Sequence, residues 1–94
     1  MIYYPYPANN GKNKYYVITR EGNKVYFGAF GMNDYTIYYR KYGKEYADER
    51  RQLYIRRHEG EDWSNPNKPA YWSRWLLWEK PTIKEAYAKI KNDL

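Results

Sequence analysis

Apolar and polar positions alternate most clearly over residues 14–30, which read KYYVITREGNKVYFGAF. The β-branched and aromatic runs at residues 15–19 and 25–27 are typical of strands, and residues 21–23 place a glycine in the turn between them. This pattern predicts a β-hairpin. A further aromatic and β-branched run at residues 34–39 predicts a third strand, since a sheet needs about three strands to be stable.

Helical patterns follow the strands. Residues 44–58 contain many helix formers, with acidic residues near the start and Arg56, Arg57 and His58 at the end, an order that complements the helix dipole. Near the C-terminus, Thr82 followed by Glu85 is a capping box. It predicts a last helix whose apolar stripe contains Ile83, Ala86, Tyr87 and Ile90.

The segment YWSRWLLWEK, residues 71–80, holds three of the four tryptophans in the chain. On a helical wheel, the apolar residues of this segment other than Leu77 fall within an arc of roughly 160°. We therefore predict a short helix that covers the sheet, with Trp72 and Trp75 in the core. Trp78, and Trp63 from the preceding polar loop, are predicted at the edge, where exposed rings would serve protein contacts.

The N-terminal residues MIYYPYPANN alternate tyrosine with proline, which favours an extended backbone. We read residues 1–13 as an arm and residues 14–94 as a single α+β domain: a β-hairpin extended to a three-stranded antiparallel sheet, covered by two or three helices. The arm is either a floppy tail or a docking segment. In the second case Tyr3, Tyr4 and Tyr6 contact a neighbouring subunit.

Composition narrows the function classes. Aromatic residues make up 21% of the chain, which argues against disorder, and a net charge of +6 fits either an acidic partner or a solvated surface kept soluble by its charge. The chain has no cysteine, so disulfides are excluded. No apolar run is long enough to span a membrane and the N-terminus lacks signal-peptide features, so we predict neither membrane insertion nor secretion.

The positive charge is concentrated in residues 40–58, which carry seven Lys and Arg residues against three acids. Arg50 and Arg57 are seven residues apart and share a predicted helix face, with Tyr54 between them. Basic side chains interleaved with aromatic ones are typical of sequence-tolerant nucleic-acid binders. The predicted binding residues for nucleic acid or another acidic partner are Arg40, Lys41, Arg50, Arg51, Tyr54, Arg56, Arg57 and His58; the alternative is a solvated helix face with mixed charges.

Catalytic and metal chemistry have little support in the sequence. One histidine and no cysteine cannot supply a transition-metal site. A tyrosine nucleophile beside His58 and the arginines would suit a phosphodiesterase or nuclease, but fourteen tyrosines give no way to choose one. We predict no enzymatic activity, no catalytic residue, no metal and no cofactor, with a phosphodiesterase as a distant alternative.

Several blocks together resemble a family of small uncharacterised proteins encoded mainly by large eukaryotic DNA viruses. The blocks are KYYVITREGNKVYFGAFG, DYTI, YIRRHEGEDW and YWSRWLLWEKPTIKEAY, and the resemblance covers residues 14–90. Members usually carry a histidine soon after the DYT block, where this chain has Tyr38. The resemblance implies a viral origin and, with it, a place in the virion or in the cytoplasm or nucleus of an infected cell.

Two functional classes follow from these observations. The first is a non-enzymatic structural or interaction protein, a small virion or capsid-associated component that contacts other viral proteins or further copies of itself. The second is a sequence-nonspecific nucleic-acid-binding protein. The modest charge excess and the abundance of Tyr, Trp and Arg favour the first class.

Overall fold

A computed structural model, which describes residues 3–93, contains three strands: β1 (Tyr6–Pro7), β2 (Asn13–Ile18) and β3 (Lys24–Ala29). They form one antiparallel sheet in the order β1-β2-β3. The β2–β3 hairpin is the predicted one, and its turn is closed where Gly22 N–H donates to Thr19 O at 2.9 Å. The α+β class, with a three-stranded antiparallel sheet and helices, is confirmed.

The third strand, however, is not the one predicted. Residues 34–39 belong to helix α1 (Tyr35–Tyr42), because Asp34 caps its N-terminus. The Asp34 carboxylate accepts from the backbone N–H groups of Thr36 and Ile37 at 2.9 and 3.3 Å. An N-cap of this kind satisfies donors that the first helical turn leaves open. The arm supplies the third strand instead, through Tyr6 and Pro7 opposite Tyr16 and Tyr15.

Helix α2 (Lys44–Arg57) follows α1 after a single residue, Gly43. Gly43 has φ 90°, a left-handed conformation that glycine adopts without a steric penalty, so the chain turns sharply between the two helices. His58 is the C-cap of α2. The predicted helix over residues 44–58 is therefore confirmed to within one residue.

The tryptophan-rich segment begins as helix α3 (Pro69–Trp72) and continues without a break as a π-helical turn, Ser73–Leu77. A π turn closes i to i+5 hydrogen bonds, so residues five apart come onto one face. Trp72 and Leu77 are five apart, and both are buried. The wheel placed Leu77 outside the apolar arc because it assumed α-helical spacing throughout, and this placement is wrong.

Helix α4 (Ile83–Ile90) begins at the predicted cap, where Thr82 Oγ1 accepts from Glu85 N–H at 3.1 Å. Ala86 and Ile90 are buried in the core, as the stripe predicted, and a short 3₁₀ turn (Lys91–Asp93) follows. Helices α3 and α4, with the π turn, thus cover the face of the sheet that carries Val17, Val25 and Phe27.

Trp72 lies at the centre of the core and is fully buried, which confirms its predicted role. Its ring stacks on Tyr3 at a centroid distance of 5.3 Å and faces Phe27 at 6.5 Å. Its Nε1–H donates to Pro66 O at 2.7 Å and so fixes the preceding loop. Trp75 is half-buried and packs against the core from outside.

Candidate binding cleft

A cleft of about 560 Å³ lies between β3, an edge strand of the sheet, and the C-terminal half of α2. Residues 26–29 of β3 and the following residues 32–34 line one side, while Leu77 and Trp78 contribute apolar surface. Met32 and Leu53, which are 63% and 36% exposed, also line the cleft. The cleft is thus bounded by the sheet, two helical segments and the loop after the hairpin.

Positive charge predominates in the cleft. Its Lys, Arg, Asp and Glu residues are Lys12, Lys14, Arg50, Arg57, Asp34 and Glu61. Lys14 Nζ lies 2.7 Å from Asp34 Oδ2, and both side chains are nearly buried, so these two charges cancel. Three cations then face the single carboxylate of Glu61, an imbalance that favours an anionic ligand.

Helix α2 brings two of these cations to the same side. Arg50 and Arg57 are two helical turns apart and therefore share a face, with Tyr54 between them. Arg50 lies over the ring of Tyr38 from α1, with its guanidinium carbon 5.2 Å from the ring centroid. Within residues 3–93 neither Arg50 nor Arg57 takes part in an ion pair. Their guanidinium groups are therefore available to phosphate or carboxylate, which they can bind bidentately.

A column of stacked rings supports these arginines. Tyr54 lies between His58 and Trp78, with centroid distances of 4.3 and 4.4 Å and interplanar angles of 25° and 13°. Tyr38 continues the column beyond Trp78 at 6.2 Å. All four residues line the cleft, so the cleft has aromatic surface beside its positive charge.

Two groups in this column have defined protonation properties. Burial, assisted by the negative charge of Glu61 and opposed by Arg74, raises the pKa of Tyr54 to about 12. His58 Nδ1 lies 2.9 Å from Tyr54 O. A carbonyl oxygen only accepts, so Nδ1 is the donor of this hydrogen bond.

Arg51, predicted as a binding residue, is held elsewhere. Its Nη1 donates to Glu79 O at 2.9 Å, its Nη2 lies 3.3 Å from Asp48 Oδ1, and its guanidinium carbon is 4.4 Å from the centroid of the Tyr35 ring. These contacts tie α2 to α1 and to the segment before α4. Arg51 therefore has a structural role and does not line the cleft.

The remaining predicted basic residues also lie outside the cleft. Arg40 and Lys41 are exposed in the last turn of α1, and Arg56 is exposed on α2. The structure thus brings together Arg50, Tyr54, Arg57 and His58 from the predicted set, and it adds Trp78, which was predicted for protein contact.

The residues predicted for protein contact have different environments. Tyr3 is buried against Trp72 and belongs to the core of its own chain, so it is not exposed for a neighbouring subunit. Tyr4 is 40% exposed, while Tyr6 in β1 is partly exposed. Trp63 is half-buried, with the Arg74 guanidinium carbon 5.6 Å from its ring centroid.

Sequence reasoning did not identify Lys12, Tyr26 or Tyr38 as residues of the cleft. Tyr38 was assigned to a strand, but the segment is a helix, and Lys12 was assigned to the end of the arm. The alternation of β3 already placed Tyr26 on the face opposite Phe27, but its position beside α2 depends on how the helices pack. No local signal indicates that these residues meet Arg50 and Arg57.

The part of the chain that the structure describes gives no support for a metal site or a membrane-spanning helix. Residues 3–93 contain no group of three or more His, Asp or Glu residues arranged to hold a metal ion. None of the helices in this range has the length and apolar character that crossing a membrane requires. No family model, curated protein or solved structure matches the chain, so the resemblance to the viral family stays a prediction.

Proposed function

We propose that this protein binds nucleic acid through the cleft between β3 and α2, without sequence preference. The observation that carries the proposal is the convergence of Arg50, Arg57 and Lys12 on one cleft with aromatic walls. Cationic side chains bind the phosphate backbone, while rings offer bases a surface that does not discriminate among them. This is the second of the two classes predicted from the sequence.

The ion-pair pattern leaves the cleft arginines available to a ligand. Arg51 and Arg74 both have carboxylate partners, at 3.3 and 3.0 Å. Arg50 and Arg57 have none among the described residues, although Glu61 lines the same cleft. An unpaired guanidinium can bind phosphate bidentately, but among the described residues Arg20, Arg40 and Arg56 outside the cleft are unpaired too, so the proposal rests on the convergence of cations and rings in the cleft.

The test is a fluorescence-anisotropy titration of labelled single-stranded DNA and RNA of unrelated sequences at about 50 and 200 mM salt. With three phosphate contacts, the slope of log K against log salt should be about −2, so the Kd should rise about 20-fold over this range. Kd values should be similar for the different sequences. No binding at the lower salt concentration would refute the proposal.

Substitutions of single arginines test whether the cleft is the binding site. Arg50→Gln and Arg57→Gln should each weaken binding and make the salt slope less steep by about 0.7, since each removes one phosphate contact. Arg56→Gln is the matched control, because it removes the same charge from the same helix at an exposed position outside the cleft. Equal effects of all three substitutions would show that only the overall charge matters and would contradict the cleft assignment.

We also propose a second function, as a virion or capsid-associated interaction protein, on the evidence of an exposed aromatic pair. Tyr42 and Tyr46 at the α1–α2 corner are 59% and 41% exposed, and their rings lie 4.7 Å apart beside Tyr38. Exposed tyrosines of this kind are common in interface hot spots. The viral setting of this proposal depends on the family resemblance.

Capture experiments with purified virion proteins of a virus that encodes a family member test this function. The unmodified chain should retain a partner, and the double variant Tyr42→Ser, Tyr46→Ser should lose it. Phe30→Ser, which changes an exposed aromatic residue outside the pair, is the matched control. Retention of the same partner by all three proteins would exclude the tyrosine pair as the contact surface.

A further inference from the structure

A continuous row of tyrosine rings crosses the molecule beside the cleft. It runs from Tyr87 in α4 to Tyr4 in the arm, then to Tyr6 in β1, Tyr16 in β2 and Tyr26 in β3. Successive ring centroids are 5.3, 5.3, 5.6 and 5.4 Å apart. Helix α4, the residues before β1 and each of the three strands therefore contribute one ring to a single aromatic surface.

Strand register explains why the row is continuous. Tyr6 pairs with Tyr16, and Tyr16 pairs with Tyr26, so the three rings are cross-strand neighbours. Successive residues of a strand point to opposite faces. Since Val17 and Phe27 face the buried core, Tyr6, Tyr16 and Tyr26 occupy the other face of the sheet, where each is partly exposed.

The row leads directly into the cleft and has one lysine, Lys24, beside it. Tyr26 belongs to both, since it lines the cleft together with Arg57 and Lys12. On the row, the Lys24 ammonium lies 4.9 Å from the centroid of the Tyr16 ring, and Lys24 is exposed. Aromatic surface and cations thus form one path from the sheet to α2.

We propose that the tyrosine row is a stacking track for unpaired bases, and that the ligand is therefore a single strand of DNA or RNA. This inference rests on the proposed function of the cleft. Unpaired bases can stack on tyrosine rings while the backbone stays near Lys24 and the cleft. Bases of a duplex are already paired and stacked, so they reach the rings only at the cost of unpairing.

The competing explanation is that the rings only stabilise the sheet. Cross-strand aromatic pairs contribute to sheet stability whether or not a ligand is present. The two explanations differ in one respect: a stacking track requires bases on the ligand, whereas a structural row does not. The ligand can therefore be changed while the protein stays intact.

The experiment uses the full chain with three probes of about 12 nucleotides, within the range that small single-strand binding domains cover. The probes are a mixed-sequence single strand, the same sequence as a duplex, and an abasic strand with the sugar-phosphate backbone alone. The single strand should bind best. The abasic strand should bind more weakly by about 5-fold or more, because each stacked base contributes that much or more to affinity.

Two substitutions test the row itself. Tyr16→Leu and Tyr26→Leu should each weaken binding to the single strand by about 5-fold or more, and Tyr16→Leu, which lies outside the cleft, should leave binding to the abasic strand unchanged. Tyr16→Phe and Tyr26→Phe keep the ring and should bind the single strand like the unmodified chain. Denaturation midpoints of each variant show whether any loss comes from unfolding.

The outcomes separate this inference from the proposed function. Equal binding of the single and abasic strands, with a normal salt slope, would overturn the stacking track and leave phosphate binding in the cleft. Tighter binding of the duplex would likewise overturn the single-strand assignment alone. If no probe binds at about 50 mM salt, both proposals fail.

Discussion

Replacing Gly28 by alanine tests how closely the sheet packs against the tryptophan-rich segment. Gly28 lies in β3 with φ 76°, in the left-handed region that side chains rarely adopt. An added Cβ would lie 2.8 Å from Leu77 Cδ1 and 3.3 Å from Lys14 Cβ. Leu77 is only 2% exposed, so it has little room to move away.

Two contributions set the expected loss of stability. The left-handed backbone costs a residue with a side chain about 1–2 kcal/mol. Forcing an extra carbon into a packed core costs about 1–3 kcal/mol more. We therefore expect Gly28→Ala to lower the free energy of unfolding by about 2–5 kcal/mol, a large part of the roughly 5–15 kcal/mol of a typical domain.

Gly31→Ala is the matched control, since Gly31 has φ 84° but no atom within 4 Å of the position that an added Cβ would take. It should show the backbone cost alone, about 1–2 kcal/mol. Urea denaturation followed by tryptophan fluorescence measures both variants, because Trp72 is buried in the folded state. The difference between the two losses isolates the contact with Leu77.

Equal losses for the two alanine variants would refute the packing argument. A double-mutant cycle with Leu77→Ala gives a second check. If the Cβ collides with Leu77, the double variant should lose less stability than the sum of the single ones. Additive losses would show that Gly28 is required for its backbone conformation only.

Three further predictions address the cap, the buried phenol and the two kinds of arginine. Asp34→Ala should destabilise the protein by about 3–5 kcal/mol in urea denaturation, because it removes the helix cap and leaves the Lys14 ammonium buried without its partner. Asp34→Asn keeps a capping oxygen and should cost less; equal costs would contradict this account. Because burial raises the pKa of Tyr54 from 10.0 to about 12, its contribution to stability is complete below pH 10 and is lost as the pH rises through 12. Denaturation midpoints should fall over this interval more steeply for the unmodified chain than for Tyr54→Phe, and parallel curves would refute the assignment. Arg51→Gln should cost about 1.5–3 kcal/mol of stability and leave the Kd for nucleic acid unchanged, since its guanidinium binds a backbone carbonyl. Arg57→Gln should weaken binding of nucleic acid and leave stability unchanged. A loss of affinity without a loss of stability in Arg51→Gln would contradict the structural role of Arg51.

The sequence alone was sufficient for features whose cause is local. The hairpin follows from the β-branched and aromatic runs on either side of the turn at Gly22, and α4 follows from the Thr82 cap. The spacing of Arg50 and Arg57 likewise predicted that they share a helix face. In each case the determining contacts lie within a few residues along the chain, so a short stretch of sequence contains them.

Features that depend on distant partners were beyond the sequence. Residues 34–39 are a partial exception, because the Asp34 cap is local but the strand-like composition outweighed it, and only Lys14 from β2, which holds the carboxylate in place, is distant. Arg50 and Arg51 are neighbours in sequence, yet a carbonyl at Glu79 holds one while the other faces the cleft. A helical wheel drawn with α-helical spacing likewise does not show the π turn that buries Leu77.

The sequence thus determined which local elements form, apart from α1 and β1, and which side chains could contact phosphate. The tertiary structure decided that the arm completes the sheet, that Lys12 and Tyr26 meet α2 at one cleft, and that five tyrosines form a row. The physical reason is that these arrangements come from packing between segments far apart in the chain. The sequence of each segment contains its own periodicity, but it does not specify where the partner segment lies.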